Sequence, residues 1–509
     1  MHESRTSNVI KNSGASLIYK FVHILLTFAL RTAFVKLLGN EYTGISSLFT
    51  DVLQVLSLME LGLDTSMVYA LYGPVARNDH TRVSALLKFY KKAFTVIGIV
   101  ILALGLGCIP FLNYIVKDVP NIKEDIRLIF LMYILTSASS YFVIYKTIVL
   151  RANQRSRVIS RVQVIVDILE SVTSILLIFI FREFFLYLVV HLAATWVRNI
   201  YLSRLSEKMY PESFVKTDAE LSSAEKKKQI RDIACLTVYT LSGVVINSTD
   251  SIFISAFVGT VEVALIGNYT LLINSVRTAV EQINNSLKAS VGNLAALSSS
   301  EEQKVVFDRI NFICFWATCL TGTCLYVLLR PFVTGIWLGQ AYDVSPIVIG
   351  VLIFNYFIAV MVYPVESFRT ANGLFVQGWF RPAIMACLNI VLDYFMGKKW
   401  GVTGIFLATT ISRLLTQVWF DPYLIFRHVF KKKVWGYYVN YVLYMAVTII
   451  ACFSANFIAQ HIIVSSPYIG FILKCIIAVL IPNLIVLLLF GRTDEFAYVK
   501  RLLLRFTHR

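Results

Sequence analysis

The chain has 509 residues, of which 57% are hydrophobic and only 15% charged, and its mean hydropathy is +0.70. Soluble domains carry about 25% charged residues, so this composition excludes an ordinary water-soluble fold. The formal net charge of +17 calls for an acidic partner, and the placement of that charge along the chain, described below, argues for anionic lipid and against nucleic acid.

Apolar runs of membrane-spanning length recur from end to end, each long enough to cross a hydrocarbon core of about 30 Å. The first, Val9–Leu38, has no small-residue cleavage site and is read as a span, not a signal peptide. It carries Asn12, Ser16, Lys20, His23, Thr27 and Arg31 at spacings of three and four, so all six share one helical face. A cationic stripe is costly in lipid and must face protein or a water-filled cavity, and a positive cavity suits an anionic cargo. Span two, Glu41–Tyr72, adds the acids Asp51, Glu60 and Asp64; Leu86–Val116 and Ile122–Leu150 follow. Span five, Val158–Phe181, carries Gln163, Asp167 and Glu170, and Phe184–Leu205 closes the first set of six. Two roles are open to these groups: a substrate path, with Lys20, His23, Arg31, Asp51 and Glu60 on it, or internal pairing that glues the bundle.

A polar segment then interrupts the hydropathy, with Pro211 and the run Glu225–Lys228. The expected organisation is an N-lobe at 1–206, a cytoplasmic linker at 207–231, a C-lobe at 232–430, and two further spans with a basic tail at 431–509. Phe34–Gly39 at the end of span one is echoed by Phe253–Gly259 at the end of span seven. Such an echo suits duplicated bundles with substrate held between the halves.

The second set runs Ile233–Val258, Val263–Leu297, Val305–Trp337, Ser345–Ala371, Val376–Met396 and Gly401–Phe426, before Val434–Ile458 and Ile469–Phe490. The expected fold class is therefore an all-α integral membrane protein with about 14 transmembrane helices. Span eight repeats the stripe of span one with Asn274, Arg277, Glu281, Asn284 and Lys288, which adds Arg277 and Lys288 to the candidate path. Asp250 in span seven, Asn389 and Asp393 one turn apart in span eleven, and Thr409 in span twelve offer the oxygen ligands of a hard cation. The same residues also suit protonated or hydrogen-bonded acids.

Alternate loops collect Arg77, Arg82, Lys88, Lys91 and Lys92, then Arg151, Arg155, Arg157 and Arg161, then Lys226–Lys228 and Lys431–Lys433. This bias places that side, and both termini, in the cytoplasm, where anionic lipid headgroups account for the charge. The eight Cys show no CxxC pattern and read as small hydrophobes. No Walker A, HExxH or GxSxG run occurs, so no enzyme activity is expected.

Three stretches of the first half are Arg31-Thr-Ala-Phe-Val-Lys-Leu-Leu-Gly-Asn-Glu-Tyr-Thr-Gly, Leu56-Ser-Leu-Met-Glu-Leu-Gly-Leu and Tyr69-Ala-Leu-Tyr-Gly-Pro-Val-Ala-Arg-Asn-Asp79. Asn247-Ser-Thr-Asp-Ser-Ile-Phe-Ile-Ser255, Ile266-Gly-Asn-Tyr-Thr270 and Gly404-Ile-Phe-Leu-Ala-Thr-Thr-Ile-Ser412 follow in the second. In order and spacing these resemble Wzx-type polysaccharide flippases of the multidrug/oligosaccharidyl-lipid/polysaccharide superfamily. The resemblance implies two six-helix lobes around a central cavity, two extra C-terminal helices, and alternating access in a bacterial plasma membrane. It implies an undecaprenyl-pyrophosphate-linked oligosaccharide as substrate, with a polysaccharide polymerase and chain-length machinery as partners. A relative that flips the peptidoglycan precursor has a sodium site of the same residue types, so the resemblance implies a Na+ or H+ coupling site at Asp250, Asn389, Asp393 and Thr409, with the Ile405 carbonyl as a further ligand. Asp64, Asp393 and Ala408 depart from the common pattern and leave the identity of the coupling ion open.

Two rival readings remain at this point. A multidrug exporter of the same fold would favour an acidic or aromatic cavity. A membrane polymerase would need a large external loop, whereas the external stretches near Lys117–Lys123 and Leu338–Val344 are short.

Overall fold

The computed structural model describes residues 5–56, 63–116, 122–215, 221–227, 229–230, 248–297, 299–372, 374, 377–462 and 466–507. Among these every regular element is a helix. Nine helices of the described residues are long and apolar enough to cross a membrane, and the chain is a multi-pass membrane protein.

The chain divides into two compact units, Met1–Ala264 and Leu265–Arg509. In the first, α1 (Arg5–Ala33) ends in a π turn at Phe34–Leu38 and is followed by α2 (Asn40–Leu56), α3 (Leu63–Ala76) and α4 (His80–Cys108). Next come α5 (Ile126–Tyr141), α6 (Ser156–Phe181), α7 (Phe184–Met209), a helical segment at 248–257 and the start of α8 (Thr260–Leu297). α2 and α3 are the described parts of the second expected span, whose residues 57–62 lie outside the described residues. α6 packs against both α1 and α7, and α5 lies between α4 and α7. Phe34, Phe49, Phe130, Phe184 and Tyr187 form one apolar core; Tyr90, Phe94 and Tyr141 belong to another nearer the α3–α4 end. In lipid such contacts act through close packing more than through water exclusion.

The echo between spans one and seven is realised in the backbone. Gly39 (φ +97°) donates its N–H to the Phe34 carbonyl at 3.0 Å, and Gly259 (φ +152°) donates to Ile254 at 3.0 Å. Both helices therefore end in the same wide turn, and each turn uses a φ that favours glycine.

The second unit continues α8 and adds α9 (Ser300–Pro331), α10 (Pro346–Met361), α11 (Tyr363–Ala371), α12 (Phe380–Leu415), α13 (Gln417–Ile425), α14 (Trp435–Gln460), α15 (Pro467–Phe490) and α16 (Asp494–Thr507). Ser299 and Glu302 form a capping box that starts α9. α9 is the hub, packed by α10, α14 and α15. Phe315 and Tyr444 stack with ring centroids 4.0 Å apart, and Trp316 Nε1 donates to Asn483 Oδ1 at 2.8 Å, which binds the two C-terminal spans into the core.

Spans eleven and twelve form one tight hairpin within α12, kinked at Gly401 (φ +57°). Gly404 allows the return: a Cβ there would lie 2.0 Å from the Met396 carbonyl oxygen. This close turn sets the two arms of the hairpin side by side and fixes the register of the polar residues they carry.

Candidate functional site

In the first unit the cations of α1 meet acceptors on neighbouring helices. Arg31 donates Nη1–H to Ser47 Oγ at 2.8 Å and Nη2–H to the Ala264 carbonyl at 3.0 Å. Its planar fork thus ties α1 to α2 and to the first turn of α8, which a lysine's single ammonium would not reproduce. Two turns earlier, His23 Nδ1 lies 3.2 Å from Asp167 Oδ2 on α6, and Arg198 of α7 donates to Asp167 Oδ1 at 3.2 Å. Asp167 is buried while the His23 side chain stays 54% exposed, so His23 joins the network and keeps an open face. Lys20 is half-buried one turn away on the same helix.

One turn along α6, Glu170 Oε1 sits 2.6 Å from His191 Nδ1 of α7. Asp51 is hydrogen-bonded with Ser251, and Ser248 donates to Gln54 Oε1 at 3.0 Å, so α2 and the 248–257 segment run antiparallel in polar register. Asp250 is buried on that segment. Glu60 lies outside the described residues.

In the second unit, Arg277 lies within electrostatic reach of Tyr356 and Tyr363, and Glu281 and Glu366 lie around Tyr363. Gln417 donates to Glu366 Oε1 at 3.4 Å, and Arg413 donates to the Asn355 carbonyl at 3.4 Å. The stripe on α8 therefore faces a mixed set of cations, acids and phenols. Asn284 is buried and donates to Ser367 Oγ at 3.3 Å; the Lys288 side chain lies outside the described residues.

The α12 hairpin brings three of the expected cation ligands together. Asn389 Nδ2 donates to Asp393 Oδ1 and to Thr409 Oγ1, both at 3.3 Å, and all three residues are buried. The opposite end of the amide, Asn389 Oδ1, is buried and accepts no hydrogen bond among the described residues. A buried acceptor without a donor is costly; exchanging the amide's oxygen and nitrogen would turn Oδ1 towards the Asp393 and Thr409 oxygens and present three oxygens to a cation. The donor chemistry of this set fits a bound Na+ or a protonated carboxyl.

Sequence reasoning missed a second buried cluster in this unit. Arg369 and Arg381 both contact Asp421 Oδ1, at 2.7 Å and 3.2 Å. Arg369 also donates to the carbonyls of Leu374 and Gln377, which pins the turn leading into α12. The available signal was three charges, near the end of α11, at the start of α12 and in the middle of α13.

No protein-family model and no curated protein matches the sequence. Among solved structures, the chain is similar to the lipid II flippase MurJ in an inward closed conformation, with 14% identity and a TM-score of 0.65 over 95% of this chain and 99% of the other. An inward-facing multidrug resistance transporter of the MATE family, in the MOP superfamily, aligns at 16% identity and a TM-score of 0.55, over 77% of this chain and 91% of its own. A point mutant of the Vibrio cholerae MATE transporter VcmN aligns at 12% identity and a TM-score of 0.55, over 82% of this chain and 100% of its own. The fold is that shared by these transporters.

Proposed function

We propose that the chain is a flippase that carries undecaprenyl-pyrophosphate-linked oligosaccharide repeat units from the cytoplasmic to the outer leaflet by alternating access. The product would feed capsule, O-antigen or exopolysaccharide assembly. The observation that carries this reading is the extent of the fold. The lipid-linked-substrate flippase aligns with 95% of this chain, against 77% and 82% for the multidrug transporters, and α14 and α15 are built into the second unit's core.

The chemistry follows from the cargo. A pyrophosphate cannot cross hydrocarbon without partners for its charge. Arg277 supplies a planar fork for paired phosphate oxygens, Arg31 a guanidinium charge held in place by Ser47 and the Ala264 carbonyl, and Lys20 and Lys288 point charges. His23, Asp51 and Glu60 extend the polar path, with carboxylates as acceptors for sugar hydroxyls. Asn389, Asp393 and Thr409 would hold the coupling ion, Na+ or H+, whose binding energy favours one of the two openings. On this reading the chain works in a bacterial plasma membrane with both termini cytoplasmic, upstream of a polymerase and chain-length machinery, and performs no covalent chemistry itself.

The test is accumulation of lipid-linked repeat units in a deletion strain, with sidedness read on membrane vesicles. Units trapped on the cytoplasmic face support the proposal. Units that cross but stay unpolymerised overturn it in favour of a polymerase. Normal lipid distribution with new drug hypersensitivity overturns it in favour of a multidrug exporter.

A further inference from the structure

A groove of about 460 Å³ lies on the first unit, between α4 and the segment that follows α7. Lys88, Lys92 and Lys226 line it together with apolar side chains that include Phe89, Val96, Leu221 and Ile230. The order along α4 matters. The two lysines are one turn apart in the first half of the helix, and the apolar lining extends to Ile97, about 7.5 Å beyond Lys92 along the axis at 1.5 Å per residue. Beyond the groove the same helix keeps an exposed apolar surface at Ile99, Leu104 and Leu106. The groove thus passes from a cationic mouth to an oily end that continues along a membrane-spanning helix.

The other wall is held by specific contacts. Arg82 bonds Glu225, Ser84 donates to the Ser213 carbonyl at 2.9 Å, and the Tyr90 hydroxyl donates to Gln229 at 3.2 Å. Leu221 is buried against α4. Glu225 is engaged by Arg82 and by Ser222, and Lys88, Lys92 and Lys226 line the groove.

We infer that this groove is a binding site for one anionic phospholipid of the leaflet that the basic loops face. Its phosphate would sit among Lys88, Lys92 and Lys226, and an acyl chain would lie along Phe89, Val96 and the outer face of α4. Two features favour such a lipid over a soluble anion: the complementary charge at the mouth, and an apolar floor that a free phosphate would leave uncovered. Because Lys226 and Ile230 come from the segment after α7, an occupying lipid also holds that segment on α4.

The test uses the full chain purified in detergent and native mass spectrometry with three probes: phosphatidylglycerol, phosphatidylcholine and inorganic phosphate. One phosphatidylglycerol is expected to stay bound at a detergent concentration that strips phosphatidylcholine, with excess inorganic phosphate failing to displace it. Lys88→Gln/Lys92→Gln/Lys226→Gln should weaken retention by about tenfold or more. Val96→Trp keeps every lysine, fills the apolar end at an exposed position, and should also lose the lipid. Monodisperse gel filtration of both variants shows that they fold. Equal retention of phosphatidylcholine, displacement by inorganic phosphate, or unchanged retention in either variant overturns the site. The readout involves no export, so its outcome is independent of the flippase proposal.

Discussion

Arg369 and Asp421 form an ion pair from which water is excluded: Nη1 lies 2.7 Å from Oδ1, and each side chain is 1% exposed. Arg381 adds a second cation at 3.2 Å, so two guanidinium groups depend on one carboxylate. Removing that carboxylate leaves buried positive charge without compensation, at a cost of about 3–5 kcal/mol. Asp421→Ala is therefore expected to lower the thermal midpoint of the purified protein sharply and to reduce its level in the membrane. Exchanging Arg369 and Asp421 together for apolar residues of similar volume should be milder than Asp421→Ala alone. Fluorescence-detected size-exclusion after a heat series measures both, and equal loss in the two variants would contradict the pairing argument.

Arg31 joins three parts of the first unit through Ser47 and the Ala264 carbonyl. Charge-assisted hydrogen bonds of this kind contribute about 1.5–3 kcal/mol. Arg31→Ala should reduce export by roughly tenfold or more with the protein still present in the membrane, and Arg31→Lys should recover only part of the loss because it keeps the charge without the fork. Arg277→Ala is expected to match it in export. Surface glycan staining set against immunoblots of the membrane fraction separates transport from abundance; full export in both alanine variants would remove these residues from the substrate path.

The oxygen cluster of Asn389, Asp393 and Thr409 predicts ion-linked stability. A ligand that binds only the folded state stabilises it by RT ln(1 + [L]/Kd). Sodium, compared with choline at equal ionic strength, should raise the thermal midpoint of the wild type but not of Asn389→Ala or Asp393→Asn. If sodium does nothing and transport instead follows an imposed proton gradient, the cluster serves H+. A sodium effect that persists in both variants would place the ion elsewhere.

Glu225 supplies a pH prediction outside the membrane. Its hydrogen bond from the Arg82 side chain, assisted by the Ser222 backbone and hydroxyl, lowers its pKa from 4.5 to about 2. A carboxyl whose folded pKa is depressed contributes stability that is complete above the unfolded value and fades as pH falls towards the folded one. Docking of the 221–230 segment on α4 should therefore be constant from about pH 5 to 8 and weaken between pH 4.5 and about 2, while Glu225→Gln should loosen it at neutral pH. The pair is part-exposed at 38% for each side chain, so added salt should weaken it as well. Limited proteolysis at Lys226 and Lys227, with hydrogen exchange for the acid range, reads all three conditions; a segment equally protected in Glu225→Gln would show that the apolar contact of Leu221 suffices.

Some of the site was readable from spacing alone. Asn389 and Asp393 are one helical turn apart, so their contact follows from the helix, and the stripe of Lys20, His23 and Arg31 follows in the same way. The partner of each was not readable. His23 meets Asp167 across 144 positions, Arg31 meets Ala264 across 233, and Arg369 meets Asp421 across 52. A low-dielectric interior demands that each buried charge find a counter-charge, a hydrogen-bond partner or a water-filled cavity, yet the demand does not say which residue will answer it.

The amino-acid order by itself determined that the chain crosses a membrane many times as helices. A backbone in hydrocarbon must satisfy its own hydrogen bonds, and only a helix does so within one segment. It also marked the polar faces and, through the repeated Phe–Gly endings of spans one and seven, a turn that recurs with a positive-φ glycine in each. Tertiary packing alone decided which charges are tethers and which keep an open face. That distinction depends on how closely helices distant in sequence approach one another, and periodicity within one helix carries no record of its neighbours.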